Sequence, residues 1–229
     1  RIKGQHPGRT ISVGGILLEF NHTEYMNYQL GDIGYTDSKA KSLIRGYLNK
    51  EKYLEWIAAL KLQQTHGSID ADIMMFPEGS HGHGRGPCLT AMGFRDTRVE
   101  QPTLTVFSRS SEFPHKFLAD LWLLTGIAES MNLLSVIEPR PIMVRWFISL
   151  LWMDCRTINY LRVMKNPIQP PYSNDEKFEF RTREQWETYI DSEKEVSFST
   201  LRNLKKLHQG QKKVSTLTPG SLTELMELT

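Results

Sequence analysis

The stretch FPHKFLADLWLLTGIAESMNLL, residues 113–134, limits the possible folds more than any other part of the chain. Its length, its apolar content and Pro114 at its start predict a helix. Two runs of a different kind flank it. TLTVFSR (103–109) and IMVRWFISLLWM (142–153) carry the β-branched and aromatic residues of strands, the second with Arg145 as its one charge. A chain that places a long helix between two such strands is neither all-α nor all-β. The class is α/β or α+β, a mixed sheet flanked by helices.

Other segments fit the same plan. ISVGGILLEF (11–20) predicts a strand with a glycine bulge or bend at its centre. From Ser38 to about Thr65 the pattern is helical, with Tyr53, Ile57 and Leu60 as an apolar stripe and Trp56 alongside. DIMMF (72–76) and CLTAMGF (88–94) are further strands. The proline-rich NPIQPPYSND (166–175) divides a main domain, 1–165, from a C-terminal extension, 166–229. That extension holds an expected helix at STLRNLKKLHQ and a short one in its closing residues.

A chain of 229 residues can bury a real core. A net charge of +2 gives it no polyanion-binding character, so direct nucleic-acid binding is not expected. Lys205, Lys206, Lys212 and Lys213 form the densest basic group and fit a solvated face. Two cysteines, Cys88 and Cys155, cannot build a disulfide framework and suggest a reducing compartment. RIKGQHPGRT lacks the apolar core of a signal peptide, and WFISLLWM (146–153) is too short to span a bilayer. A cytoplasmic protein with no membrane association is the expectation.

The chemistry concentrates around HGHGRGPC, residues 81–88. His81, His83 and Cys88 match no common structural zinc spacing, so no metal is expected. A P-loop would need Lys-Ser/Thr after the glycines, and an α/β-hydrolase would need G-x-S-x-G; neither is present. A reactive thiol fits better: glycines give way to the rigid Pro87 just before Cys88, and Arg85 is near enough to favour a thiolate. On the loop alone an inert cysteine that opens a strand is the preferred reading, and the residues downstream are what favour the thiolate. Downstream, Asp120 has Phe117, Leu123, Leu124 and Ile127 as helical neighbours, so its carboxylate sits on or beside an apolar face. It either pairs with Lys116 one turn away or accepts hydrogen bonds from a ligand. FSRSSE (107–112) ends a strand with Arg109, Ser110 and Ser111, which suits a phosphate or a capped helix start.

Taken in order, Pro87-Cys88, Arg109-Ser110, Glu112 and Asp120 resemble the pattern of the thymidylate synthase and pyrimidine hydroxymethylase superfamily. GRTISVGGILLEF and YLEWIAALKLQQTHGSIDADIMMFPEG are similar to segments upstream of that family's cysteine, and the likeness spans roughly residues 8 to 165. It implies a thymidylate-synthase-like mixed sheet in a catalytic domain of residues 1–165, assembled as a homodimer. Cys88 would add to C6 of a pyrimidine nucleotide monophosphate and activate C5 towards 5,10-methylenetetrahydrofolate. Arg9, Arg109 and Ser110 would bind the phosphate, and Asp120 would read the base, with a carboxylate favouring the amino group of cytosine. The resemblance thus implies C5 hydroxymethylation of dCMP or CMP. The alternatives are methylation or hydroxymethylation of dUMP or UMP, and a non-catalytic nucleotide-binding or scaffold homologue. Leu89 stands where the family usually has a His after the cysteine, and the family's ribose-binding H-x-Y is missing near SLLWMDC. Glu19 and Glu24 are the candidates for its catalytic Glu.

Overall fold

The computed structural model describes residues 10–33, 35–66, 73–75, 88–96, 100–113, 115–134, 137–154 and 215–226. The chain divides into two compact units, one of Arg1–Ser12 with Trp152–Lys213 and one of Val13–Leu151 with Val214–Thr229. Of the first, only residues 10–12 and 152–154 are described, and they form the ends of two strands. The expected break at 166–175, the helix at STLRNLKKLHQ, the loop 81–87 and Arg9 lie outside the described residues.

The second unit is built on a mixed sheet, as the alternation of strand and helix signals requires. Its strands are β1 (Thr10–Asn21), β2 (Ile73–Met75), β3 (Leu89–Arg95), β4 (Thr103–Ser108), β5 (Ser111–Glu112) and β6 (Met143–Asp154). Their order across the sheet is β1-β6-β4-β3-β2, with the short β5 beside β6. β2 pairs antiparallel with β3, and β3 antiparallel with β4, whereas β4 and β6 are parallel, with Val106 opposite Trp146. Parallel neighbours need a crossover, and α3 (His115–Leu133) supplies it.

α3 has no amphipathic stripe because every residue from Ala119 to Ala128 is buried. Phe117 stacks on Trp146 of the sheet at 5.1 Å. The helix also packs on the short turns His22–Tyr25, Leu30–Ile33 and Pro219–Ser221, and on α4 (Leu222–Leu225). Residues from the expected C-terminal extension therefore lie against the body of this unit. Gly126 allows that approach, since a Cβ there would stand 2.8 Å from the Pro219 carbonyl oxygen. The indole of Trp122 ties the same segment down by donating to the Leu217 carbonyl at 3.2 Å.

The single helical stretch expected from Ser38 to Thr65 is two helices, α1 (Asp37–Tyr47) and α2 (Lys50–His66). Leu48 turns extended, at φ −119° and ψ 120°, and the Asn49 side chain accepts from the Lys52 amide at 3.1 Å, capping α2. The predicted stripe of Tyr53, Trp56, Ile57 and Leu60 is buried. In β1 the expected bend is present at Gly15, whose φ of 66° few other residues adopt.

One face of the sheet carries the core, with Leu104, Val106, Val144, Trp146 and Ile148 buried. The other is open. Phe107 and Phe147 stack there at 5.2 Å while both remain exposed, and Arg145 donates to Glu19 at 2.7 Å. Among the described residues, no helix is long and apolar enough to cross a membrane.

Candidate active site

The residues singled out in the sequence come from three places that the fold brings together. Cys88 precedes β3, Ser110 and Ser111 follow β4, and Asp120 lies in the second turn of α3. Antiparallel pairing of β3 with β4 sets Leu89 opposite Ser108, and the register shifts between Leu89 and Ala91. The bulge is held by Thr90, whose hydroxyl donates to the Phe107 carbonyl at 3.0 Å. One step further, the Arg109 amide donates to the Cys88 carbonyl at 3.0 Å. The end of β4 is thereby fixed beside the cysteine.

The half-buried Cys88 is a free thiol, and its Sγ lies 3.9 Å from the Ser110 hydroxyl. Neighbouring Ser111 turns the other way: fully buried, it donates from Oγ to Oδ2 of Asp120 at 3.0 Å. Ser108 accepts from the Trp146 indole at 2.7 Å, which anchors the strand end from beneath. In this way Ser108, Ser110 and Ser111 each serve a different partner.

Asp120 is 1% exposed, and its second oxygen, Oδ1, is buried without a hydrogen-bond partner. Burial pushes its pKa up from 3.8 to about 7, against smaller opposing effects from Ser111, Tyr47 and the exposed Lys116. The surface pairing with Lys116 thus has little hold on it. An unsatisfied buried carboxyl oxygen is costly, and such groups in a folded protein call for an explanation.

Two tyrosines complete the cluster. The half-buried Tyr47 closes α1 with its hydroxyl near both the Cys88 backbone amide and the Asp120 carboxyl. Burial is the main cause that raises its pKa, and the charge of Asp120 adds to it, so it stays a neutral phenol. Tyr35, buried just ahead of α1, faces Asp120 and Glu112, and burial followed by those charges raises it too. Neither tyrosine had a local sequence signal. Both precede α2, β2 and β3 in the chain, and only the fold brings them to Asp120. Ser111 was visible as one of two serines, but nothing local said which would face the carboxyl.

Arg109 directs its backbone to Cys88 and is exposed on the surface. Glu19 pairs with Arg145 on the open face of the sheet, away from α3, and Glu24 accepts from the Asn21 amide at 3.4 Å. These partners, and no contact with Cys88 or Asp120, are what the structure gives those two glutamates. Taken together, a thiol, two serine hydroxyls, two neutral phenols and a buried carboxyl converge where β4 gives way to α3. Such a set places a sulfur nucleophile, hydroxyl groups and a carboxyl in one region of the fold. No protein-family model matches the chain, and no curated protein is significantly similar to it in sequence.

Proposed function

We propose that this chain is a divergent, thymidylate-synthase-like enzyme that hydroxymethylates C5 of a cytidine 5′-monophosphate. The observation that carries this reading is that Cys88 meets Ser110, and Asp120 meets the adjacent Ser111, just past the end of β4, with Tyr47 beside both Cys88 and Asp120. Cys88 adds as thiolate to C6 of the pyrimidine, and the electrons of the 5,6 double bond make C5 a nucleophile. 5,10-Methylenetetrahydrofolate is the co-substrate that supplies the one-carbon unit. C5 bonds to that carbon and gives up its hydrogen as a proton, and tetrahydrofolate leaves with the electron pair of the broken carbon–nitrogen bond. Water adds to the exocyclic carbon with loss of a proton, and expulsion of the Cys88 thiolate restores the ring. Asp120, with its unpartnered Oδ1, faces the exocyclic group at C4 of the base. Arg109, Ser110 and Arg9 bind the 5′-phosphate. The described residues assign no group to the folate, and no step is drawn from its contacts.

Loss of the C5 hydrogen gives the test. Incubation with C5-tritiated dCMP or CMP and the folate should release tritium, and Cys88→Ala should abolish the release. Release from uridylate alone would move the activity to the uracil series. No release from either series, together with an alkylation-resistant Cys88, would leave a nucleotide-binding scaffold. A homodimer belongs to the same proposal, and the open sheet face with Leu17, Phe107 and Phe147 exposed suits it. Sedimentation should give twice the chain mass for the wild type and the chain mass for Phe147→Asp.

A further inference from the structure

His22 is buried just past the end of β1, and it meets Ile142, the residue before β6, in two ways. Its backbone amide donates to the Ile142 carbonyl at 3.1 Å, and the Ile142 amide donates back to Nδ1 of its ring at 3.0 Å. Residues facing each other across an antiparallel ladder exchange two such bonds; here a ring nitrogen stands in for one carbonyl. Accepting from an amide leaves Nδ1 without a proton, so the neutral ring carries its proton on Nε2. Nε2 donates to Oε2 of Glu129, in the last turns of α3, at 3.1 Å. One imidazole therefore ties the end of β1, the entry to β6 and α3 together.

We infer that His22 is a proton-operated latch at the end of the sheet away from Cys88. Histidine is the side chain that ordinarily changes charge between about pH 5 and pH 8. A proton taken up on Nδ1 turns that atom from acceptor to donor, and it then faces the donor N–H of Ile142. The two must part. Ile142 is fully buried, so its amide gains no water in exchange and the bond is lost outright. The Ile142 carbonyl stands 3.4 Å from Nδ1 and already accepts from the His22 amide. At Nε2 the change has the opposite sign, because a cationic ring donates more strongly to a carboxylate. Protonation thus loosens the ring from the entry to β6 and tightens it on α3: the latch is closed at higher pH and released at lower. Glu129 is the charged group that meets the ring. Glu24 of the same turn accepts from the Asn21 amide at 3.4 Å, Tyr25 packs on Phe20, and Arg140, ahead of β6, pairs with Asp96. Met143 lies opposite Thr103 here, and β4 comes beside Cys88 only at its other end, so the latch stands apart from the proposed nucleotide site.

The test is NMR of the full chain from about pH 8 to about pH 5. The nitrogen shifts of the His22 ring follow its protonation. The hydrogen-exchange rate of the Ile142 amide, divided by the intrinsic rate at each pH, gives its protection. That protection should fall about tenfold or more as the ring gains its proton, with the same midpoint. Protection at Val144 and Trp146, within β6, should hold. His22→Asn keeps an acceptor near the place of Nδ1 and does not titrate, so its Ile142 protection should be flat across the range. Protection at Ile142 that ignores the titration of the ring overturns the inference, as does a ring that stays neutral until the whole chain unfolds. Loss at Ile142 in step with Val144 and Trp146 overturns it too, because that is general unfolding of the sheet. A loss that persists in His22→Asn assigns the effect to another group and overturns it as well. Should the Asn variant not fold, the wild-type comparison of the ring with Ile142 decides.

Discussion

Replacing Asp120 by Asn should make the protein more stable at neutral and alkaline pH, although Asp120 lies within the proposed site. A carboxyl whose folded pKa is raised keeps its proton in the native state while the unfolded chain gives it up. Stability is therefore highest below the unfolded pKa and falls as pH rises towards the folded one. For Asp120 the window runs from 3.8 to about 7. At about 1.4 kcal/mol per pH unit, the full penalty above that window is about 4 kcal/mol. Asn keeps an acceptor for Ser111 and never ionises, so the variant escapes the penalty. Other titrating groups are common to both proteins and drop out of the comparison. The stability difference, variant minus wild type, should grow by about 3 kcal/mol between pH 5 and pH 8 and then level off. Urea denaturation of both proteins at unit pH steps measures it. Parallel pH profiles would refute the reasoning, because they would mean that Asp120 ionises in the fold as readily as in the unfolded chain.

Two further outcomes follow from the packing. Gly126→Ala gains about 1 kcal/mol of helix propensity. It also drives a methyl group to 2.8 Å from the Pro219 carbonyl oxygen and 3.0 Å from Leu222 Cβ. The net result should be a loss of about 1–3 kcal/mol, seen as a lower Tm. His22→Ala should cost a similar amount, about 1–3 kcal/mol. The ring of this buried histidine accepts from the Ile142 amide at 3.0 Å through Nδ1 and donates to Glu129 at 3.1 Å through Nε2. Faster hydrogen exchange at Ile142 would mark the loss; unchanged exchange and stability would show that the pair contributes nothing.

Much of the fold could be read in the sequence, for identifiable reasons. β1, β4 and β6 announce themselves by β-branched and aromatic residues, and α3 by an apolar run too long for a strand. The break between α1 and α2 was missed because the sequence reads as helical on both sides of Leu48 and Asn49. The capping side chain of Asn49 was the signal that marked the end. Asp120 stood out because a carboxylate beside Leu123, Leu124 and Ile127 is costly. Its full burial was hidden, since that depends on Ser111 of β5 and on Tyr35 and Tyr47, which only the fold brings to it. Tyr35 and Tyr47 were illegible in the sequence because their place beside Asp120 is set by tertiary packing. The exposed positions of Arg109 and the pairing of Glu19 with Arg145 likewise depend on strand order.

The central claim is that Cys88 attacks a pyrimidine ring. A 5-fluorinated dCMP offers no proton to lose from C5, so it should arrest the reaction with the sulfur still bonded to C6. Intact-protein mass spectrometry in the presence of the folate should then show one nucleotide-containing adduct per chain, mapped by peptide analysis to Cys88. A chain that keeps its unmodified mass under the same conditions, with the nucleotide bound, would contradict the account.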